Sequence, residues 1–176
     1  MSIMIYQNGP FMVNTYLYFD EATNDGIIID AGSLDMGPLI ENIKKHNITI
    51  KAIVSTHGHW DHVAGVDILK NEFKAPFYLN EKEKPVVDAI ATQAQMFGVQ
   101  PVNVPPIDEN LPESGTITIG SIDINCLYTP GHSPGSMADQ YLHLPALVWP
   151  STEPYPPNLQ SSCWCLPRPL LCLQQG

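Results

Sequence analysis

The chain has no run approaching the roughly 20 consecutive apolar residues that a membrane-spanning helix requires. Met1 to Asn8 has neither the basic start nor the long apolar core of a secretory signal. Both absences point to a cytoplasmic protein with no membrane partner. Basic side chains are scarce: eight Lys and Arg stand against eighteen Asp and Glu, a formal charge of −10. Such a surface repels nucleic-acid phosphates and argues against a nucleic-acid partner. Cysteine is sparse and forms no recognisable disulfide framework. Cys126 falls in a strand pattern and reads as a buried thiol, while Cys163, Cys165 and Cys172 crowd the C-terminus. Nothing demands a second globular domain, because 176 residues with 44% hydrophobic side chains suit one core. Nothing in the sequence assigns an oligomeric state.

What is present is an alternation of strand-like and helix-like segments. Ser2 to Tyr6, Asn14 to Asp20 and Gly26 to Asp30 read as strands, followed by a helix from about Gly37 to His46 and a strand Lys51 to Ser55. His46 then reads as a solvated residue favoured at a helix C-terminus by the dipole. Val63, Val66, Leu69 and Phe73 recur at helical spacing and predict one core-facing helix before a short strand, Pro76 to Leu79. Glu81 to Phe97 reads as a further helix and the proline-rich Gly98 to Pro112 as a loop. Thr116 to Ile119 and Ile122 to Tyr128, separated by Gly120-Ser121, suit a β-hairpin.

The chemistry concentrates in His57-Gly58-His59-Trp60-Asp61-His62, which follows the apolar run Ala52-Ile53-Val54. In extended chain, side chains i and i+2 share a side, so His57 and His59 can converge on one cation. Asp61 and His62 lie where the pattern turns helical and suit a second. Neutral imidazole and carboxylate fit zinc, iron or manganese, and the lack of a nearby thiol argues against a closed, cysteine-rich structural zinc site. A lone histidine would read as a surface residue and Asp61 as a helix cap, but metal spacing accounts for all four residues together. A second histidine, His132, sits in the turn Thr129-Pro130-Gly131-His132-Ser133-Pro134-Gly135-Ser136 after a strand-like run. Alone it would read as a solvent-facing loop residue, whereas beside the first cluster it reads as a further ligand.

With these two loops the chain resembles the metallo-β-lactamase superfamily of binuclear metal hydrolases. The superfamily's Thr-His-x-His-x-Asp-His loop is matched at Thr56 to His62, and its Gly-His-(Ser/Thr)-x-Gly loop at Gly131 to Gly135. Within it the sequence is most similar to the glyoxalase II-like, or hydroxyacylglutathione hydrolase-like, branch. The resemblance covers residues 3 to about 136, including Asn14-Thr15-Tyr16 and Ile27-Ile28-Ile29-Asp30-Ala31-Gly32. It implies that His57, His59 and His132 hold one metal and that Asp61 and His62 help to hold the other. Asp61 would also steer the attacking water as the catalytic residue, and Asp30 would support the metal loop without ligating. The implied cofactor is Zn2+, two ions in the complete family site and one here if the second site is incomplete, with Fe or Mn as alternatives.

The implied fold is α+β, the four-layer αβ/βα sandwich of the superfamily, with the first half complete and the second half largely missing. Residues 1–136 would form the metallo-β-lactamase-like domain, and residues 137–176 a Pro/Cys-rich tail outside the family fold. The family completes its second site with a Gly-Asp and a later Gly-His, and neither follows Ser136. Seven prolines and three cysteines fall in those last 40 positions, with only Asp139, Glu153 and Arg168 charged. A shift of reading frame after the second metal loop and a divergent short tail both explain this, and His143 and Glu153 are the conceivable substitute ligands. Loss of the second half would leave an open apolar face on the first, an aggregation hazard.

The resemblance implies a zinc-dependent hydrolase, acting on a small-molecule thioester of the hydroxyacylglutathione type through metal-bound hydroxide. The alternative is a truncated, catalytically impaired relative that binds at most one metal. An iron-dependent redox member is a third class; flavodiiron proteins carry a carboxylate where His59 stands, which sets that variant aside.

Overall fold

The computed structural model describes residues 1–141, so His143, Glu153, the three C-terminal cysteines and nearly all of the proposed tail lie outside the described residues. The architecture is α+β. Six strands form one sheet in sequence order: β1 (Ser2–Asn8), β2 (Val13–Phe19), β3 (Asp25–Ile29), β4 (Thr49–Val54), β5 (Phe77–Leu79) and β6 (Glu109–Asn110). The first three pair antiparallel, and β3 to β6 pair parallel. Parallel neighbours need crossovers. Helix α1 (Gly37–Lys45) makes the first, and α2 (Trp60–Val63) with α3 (Val66–Phe73) the second.

Helix α1 follows its sequence cues closely. Pro38 occupies the first turn, where its missing N–H costs nothing, Leu39 and Ile43 bury an i, i+4 stripe, and Lys44 and Lys45 meet the negative end of the dipole. His46 caps the helix, its Nδ1 2.9 Å from the Asn42 carbonyl.

The segment expected as a single helix after the metal loop is two, because Gly65 interrupts it. Its N–H donates to the Ala31 carbonyl at 2.8 Å, and a Cβ there would lie 2.5 Å from the Ser33 carbonyl oxygen. Close approach to the β3–α1 connection therefore outweighs helical continuity. Glu81 to Phe97 likewise divides into a 3₁₀ turn (Glu81–Glu83), α4 (Lys84–Asp88) and α5 (Ile90–Phe97). The two-residue strand β6 lies inside the stretch read as loop, and Asp108 fixes its approach by accepting from the Phe77 N–H at 2.7 Å.

Strands β7 (Ser114–Ile119), β8 (Ile122–Tyr128) and β9 (Met137–Tyr141) form a second, antiparallel sheet. Strand β9 continues regular structure past Ser136, where the sequence puts the start of the tail. The central strands β3 and β4 are apolar on both faces, and alternation along Ile27–Ile29 and Ala52–Val54, beyond a register shift at Gly26/Ile27, divides their side chains. Ile28 and Ile53 pack with the helices around Leu39, Ile43, Val63 and Leu69. Ile27, Ile29, Ala52 and Val54 pack on Ile119, Ile122, Ile124, Cys126 and Met137. Along β3 and β4 the six-stranded sheet is thus covered on both faces, so these strands do not carry the open apolar face that loss of the second half would leave. A hairpin and one further strand supply enough apolar surface to close it. Cys126 is a buried thiol in this layer.

At the end opposite the metal loop, Asp25 joins the two sheets. Its Oδ2 accepts from the Ser121 N–H at 3.0 Å, Lys51 lies 3.2 Å from its Oδ1, and Thr23 shares a 2.7 Å hydrogen bond with Ser121.

Candidate metal centre

The carboxyl ends of β3, β4 and β5 converge, and each delivers polar residues to one edge, the position at which open parallel sheets bind ligands. Strand β3 ends in Asp30, β4 runs into Thr56–His62, and β5 into Asn80–Glu83. From the second sheet, the β8–β9 connection brings His132 to the same edge.

Asp30 is buried and holds a left-handed backbone, φ 56°. Its N–H donates to the Val54 carbonyl at 2.9 Å, and its own carbonyl accepts from Thr15 Oγ1 at 2.6 Å. The carboxylate faces the metal loop. Oδ1 accepts the Thr56 N–H at 2.8 Å, Thr56 Oγ1 lies 3.1 and 3.0 Å from the two oxygens, and Oδ2 is 3.1 Å from His62 Nδ1. Asp30 therefore lies beneath the loop, touching Thr56 and His62.

His57, His59 and His132 come together: each offers a ring nitrogen, and these atoms all lie within 4.8 Å of one another. Three nitrogens bound tetrahedrally to zinc at about 2.0–2.1 Å would stand about 3.3 Å apart, so the cluster already has roughly the right span. His59 Nδ1 is 2.9 Å from His132 Nε2. His57 Nε2 is buried with no hydrogen-bond partner among the described residues, whereas its Nδ1 lies 3.1 Å from Thr56 Oγ1. An orphaned buried imidazole nitrogen costs free energy unless something ligates it, so the donor set fits a divalent cation.

Burial is the main cause that holds His57 far below the ordinary histidine range, with His62, His59 and His132 adding repulsion. His59 is lowered chiefly by burial and next by His132, against the opposing pull of Asp61 and Glu83. Both rings are thus kept neutral, the form that binds metal.

Asp61 and His62 do not join this trio. His62 packs beside His57, ring centroids 4.0 Å apart, with Nδ1 towards Asp30 and Nε2 3.7 Å from Asp61 Oδ2. Asp61 lies in the first turn of α2 and is partly exposed. A second cation would find these two side chains side by side.

Sequence reasoning missed two supports. Trp60 is buried directly after His59. Its N–H donates to Gln93 Oε1 and its Nε1 to the Gln100 carbonyl, both at 2.9 Å, which fastens α5 to the metal loop. Glu83, read as a residue of an ordinary helix, is fully buried between the two histidine loops. Gly58 and Gly135 were the available signals, since a glycine inside a motif often marks close approach.

The model of the metallo-beta-lactamase superfamily matches residues 8–144. An uncharacterized protein of Aquifex aeolicus is 34% identical over 135 residues, 77% of this chain and 63% of that protein. The hydroxyacylglutathione hydrolase GloC of Haemophilus influenzae is 32% identical over 142 residues, 77% of this chain and 64% of its own length. The chain thus spans a little under two thirds of these curated relatives. Among solved structures, the B3 metallo-beta-lactamase BLEG-1 superposes with a TM-score of 0.72 at 31% identity, covering 80% of this chain and 67% of that one. TTHA1623, in a di-iron-bound form, gives 0.67 at 28% identity, covering 78% and 66%.

Proposed function

Because the chain belongs to the metallo-beta-lactamase superfamily, we propose that it is a zinc-dependent hydrolase of small thioesters, of the hydroxyacylglutathione type, with its metal held by His57, His59 and His132. The observation that carries this reading is the convergence of three imidazoles from two separate sheets on one point, around the unpartnered Nε2 of His57. Bound there, a divalent cation supplies a water of lowered pKa and a Lewis acid for the substrate carbonyl. The chain's own part is to hold, orient and accept protons. Burial keeps His57 and His59 neutral, so their lone pairs are offered without first losing a proton. Asp61 Oδ2, beside His62 and partly open to solvent, is assigned as the acceptor for the proton of the attacking water. Asp30 holds the Thr56 end of the loop and the His62 ring without ligating.

The thioester class is carried over from relatives such as the Haemophilus influenzae hydrolase. Zinc suits the three-imidazole set, and iron or manganese suits it too; the di-iron-bound neighbour favours testing iron alongside zinc. A second reading, a catalytically impaired relative that binds at most one metal, is favoured by the grouping of only these three histidines as a ligand cluster among the described residues. The reading of residues 137–176 as a tail outside the family fold belongs with it. A cytoplasmic location is proposed under either reading, in keeping with the acidic composition; no helix among the described residues is long and apolar enough to cross a membrane.

The test is bound metal per chain, measured with thioester hydrolysis before and after added zinc. Near two metals with turnover supports the complete hydrolase, whereas one metal without turnover supports the impaired reading. His57→Ala and His132→Ala are each expected to lower bound metal by at least tenfold. Unchanged stoichiometry in both would overturn the ligand assignment.

A further inference from the structure

The 3₁₀ turn after β5 places one carboxylate where the two histidine loops meet. Glu83 has no exposed surface, and each of its oxygens serves a different loop. Oε2 accepts the N–H of Gly58, between His57 and His59, at 2.7 Å. Oε1 accepts the Ser133 hydroxyl, next to His132, at 2.7 Å, and also accepts the Gly135 N–H in a short hydrogen bond. All three partners are donors, which matches an acceptor-only carboxylate. Ser136 completes the arrangement: its Oγ accepts the Ser133 N–H at 3.1 Å and lies 2.6 Å from Ser133 Oγ, and because Ser133 gives its one proton to the Glu83 carboxylate, the Ser136 hydroxyl is the donor in that pair.

The glycines of both motifs adjoin this same side chain. A Cβ on Gly58 would stand 3.2 Å from Glu83 Oε2 and 2.9 Å from Val87 Cγ2. A Cβ on Gly135 would stand 2.9 Å from Glu83 Cγ and 3.1 Å from Asn80 Oδ1. Asn80 fixes the turn itself, its Oδ1 accepting the Lys82 N–H at 3.1 Å and its Nδ2 donating to the Leu111 carbonyl at 2.8 Å. The side-chain-free residue in each loop thus lets Glu83 reach the backbone beside a metal-binding imidazole.

We propose that Glu83 is a positioning residue of the metal centre, setting the separation between the His57–His59 loop and the His132 loop through Gly58, Ser133 and Gly135. It touches neither metal nor substrate, and the role rests on the three-histidine reading above. Its mechanism is backbone register: two of its hydrogen bonds go to main-chain N–H groups, so displacement of Glu83 moves ligand-bearing loops rather than single rings. Supporting groups of this kind are worth about 10–100-fold in metal affinity.

The experiment is zinc affinity of the full chain by chelator competition, with the visible spectrum of the cobalt-loaded protein as a report on ligand geometry. Glu83→Gln keeps the shape but turns an amide NH2 towards a donor, so zinc affinity is expected to fall at least tenfold with an altered cobalt spectrum. Ser133→Ala removes one contact and is expected to weaken zinc three- to tenfold. In the double variant the two losses are expected to be less than additive, since both break one link. Asp25→Asn, at the far end of the sheets, is expected to lower stability while leaving zinc affinity within twofold. That separates positioning from general weakening of the fold.

Equal zinc affinity and spectra for the parent and Glu83→Gln would overturn the positioning role alone. A parent chain that binds no zinc would overturn the metal-centre reading and this one together. Should Glu83→Gln fail to fold, Ser133→Ala decides: unchanged affinity there overturns the proposal.

Discussion

The two histidine loops reach the same point by different means. The His57–His62 loop is buried along most of its length and anchored on several sides. Asp30 holds Thr56 from below, Gln93 holds the Trp60 backbone, and the Ser55 hydroxyl donates to the His62 carbonyl at 3.0 Å. The His132 loop exposes Thr129, Pro130, Gly131, His132 and Pro134. Its anchors gather at Glu83, at a 2.8 Å bond from Tyr128 Oη to the Pro134 carbonyl, and at the closing Thr129–Ser136 pair. One loop is built into the carboxyl edge of a parallel sheet, whereas the other is an exposed connection held at a few points. Rigidity at the proposed metal site is thus supplied unequally, with the exposed His132 depending on its supports.

Breaking the strong side should have the largest effect. Asp30→Ala removes the acceptor for Thr56 and the partner of His62, and it leaves a non-glycine residue in a left-handed conformation. Urea unfolding of the metal-free chain is expected to show a loss of roughly 3 kcal/mol; a change below about 1 kcal/mol would mean that the loop is held elsewhere.

Acid attacks the same buried loop. The His57 pKa is depressed in the fold relative to the ordinary value of 6.5, so the unfolded chain takes up the proton that the folded chain refuses. Stability of the metal-free protein is therefore full above pH 6.5 and falls as pH drops below it, by up to about 1.4 kcal/mol per pH unit for each such group. A His57→Ala variant is expected to flatten that slope in pH-dependent unfolding, and an equally steep profile would assign it to other groups.

The smallest effect sharpens the weak side. Tyr128→Phe deletes the hydroxyl that braces Pro134, and it is expected to cost about 1 kcal/mol or less in stability. Zinc affinity, read by chelator competition, should fall two- to threefold. A loss above tenfold would make Tyr128 rather than Glu83 the principal brace of that loop.

Much of this was legible in the sequence for a simple reason. Periodic apolar runs such as Ile27–Ile29 and Ala52–Val54 announce buried strands, and histidines spaced two apart announce a shared side. The supporting place of Asp30 was not in the local pattern: it came only as an implication of the family resemblance, and the structure shows its carboxylate against Thr56 and His62. Tertiary approach left weaker marks. Gly65 breaks a helix whose apolar spacing runs straight through it, because the constraint comes from Ser33, more than thirty residues away. Strand β6 is too short to alternate, and β9 lies where composition had already changed. Glu83 looks like any acidic helix residue, because its role depends on β5 bringing it between loops that lie far apart along the chain.

The ligand set also has a bearing on how the chain acquires its native state. His59 and His132 stand 73 residues apart and belong to different sheets, so their meeting requires the three-stranded layer to have docked on the six-stranded one. Contacts of such long sequence separation close late, after their loop-closure entropy has been overcome. If the three histidines hold a metal as proposed, its uptake would report the docking of the two sheets, since a half-folded chain would offer the cation a pair of imidazoles rather than a centre.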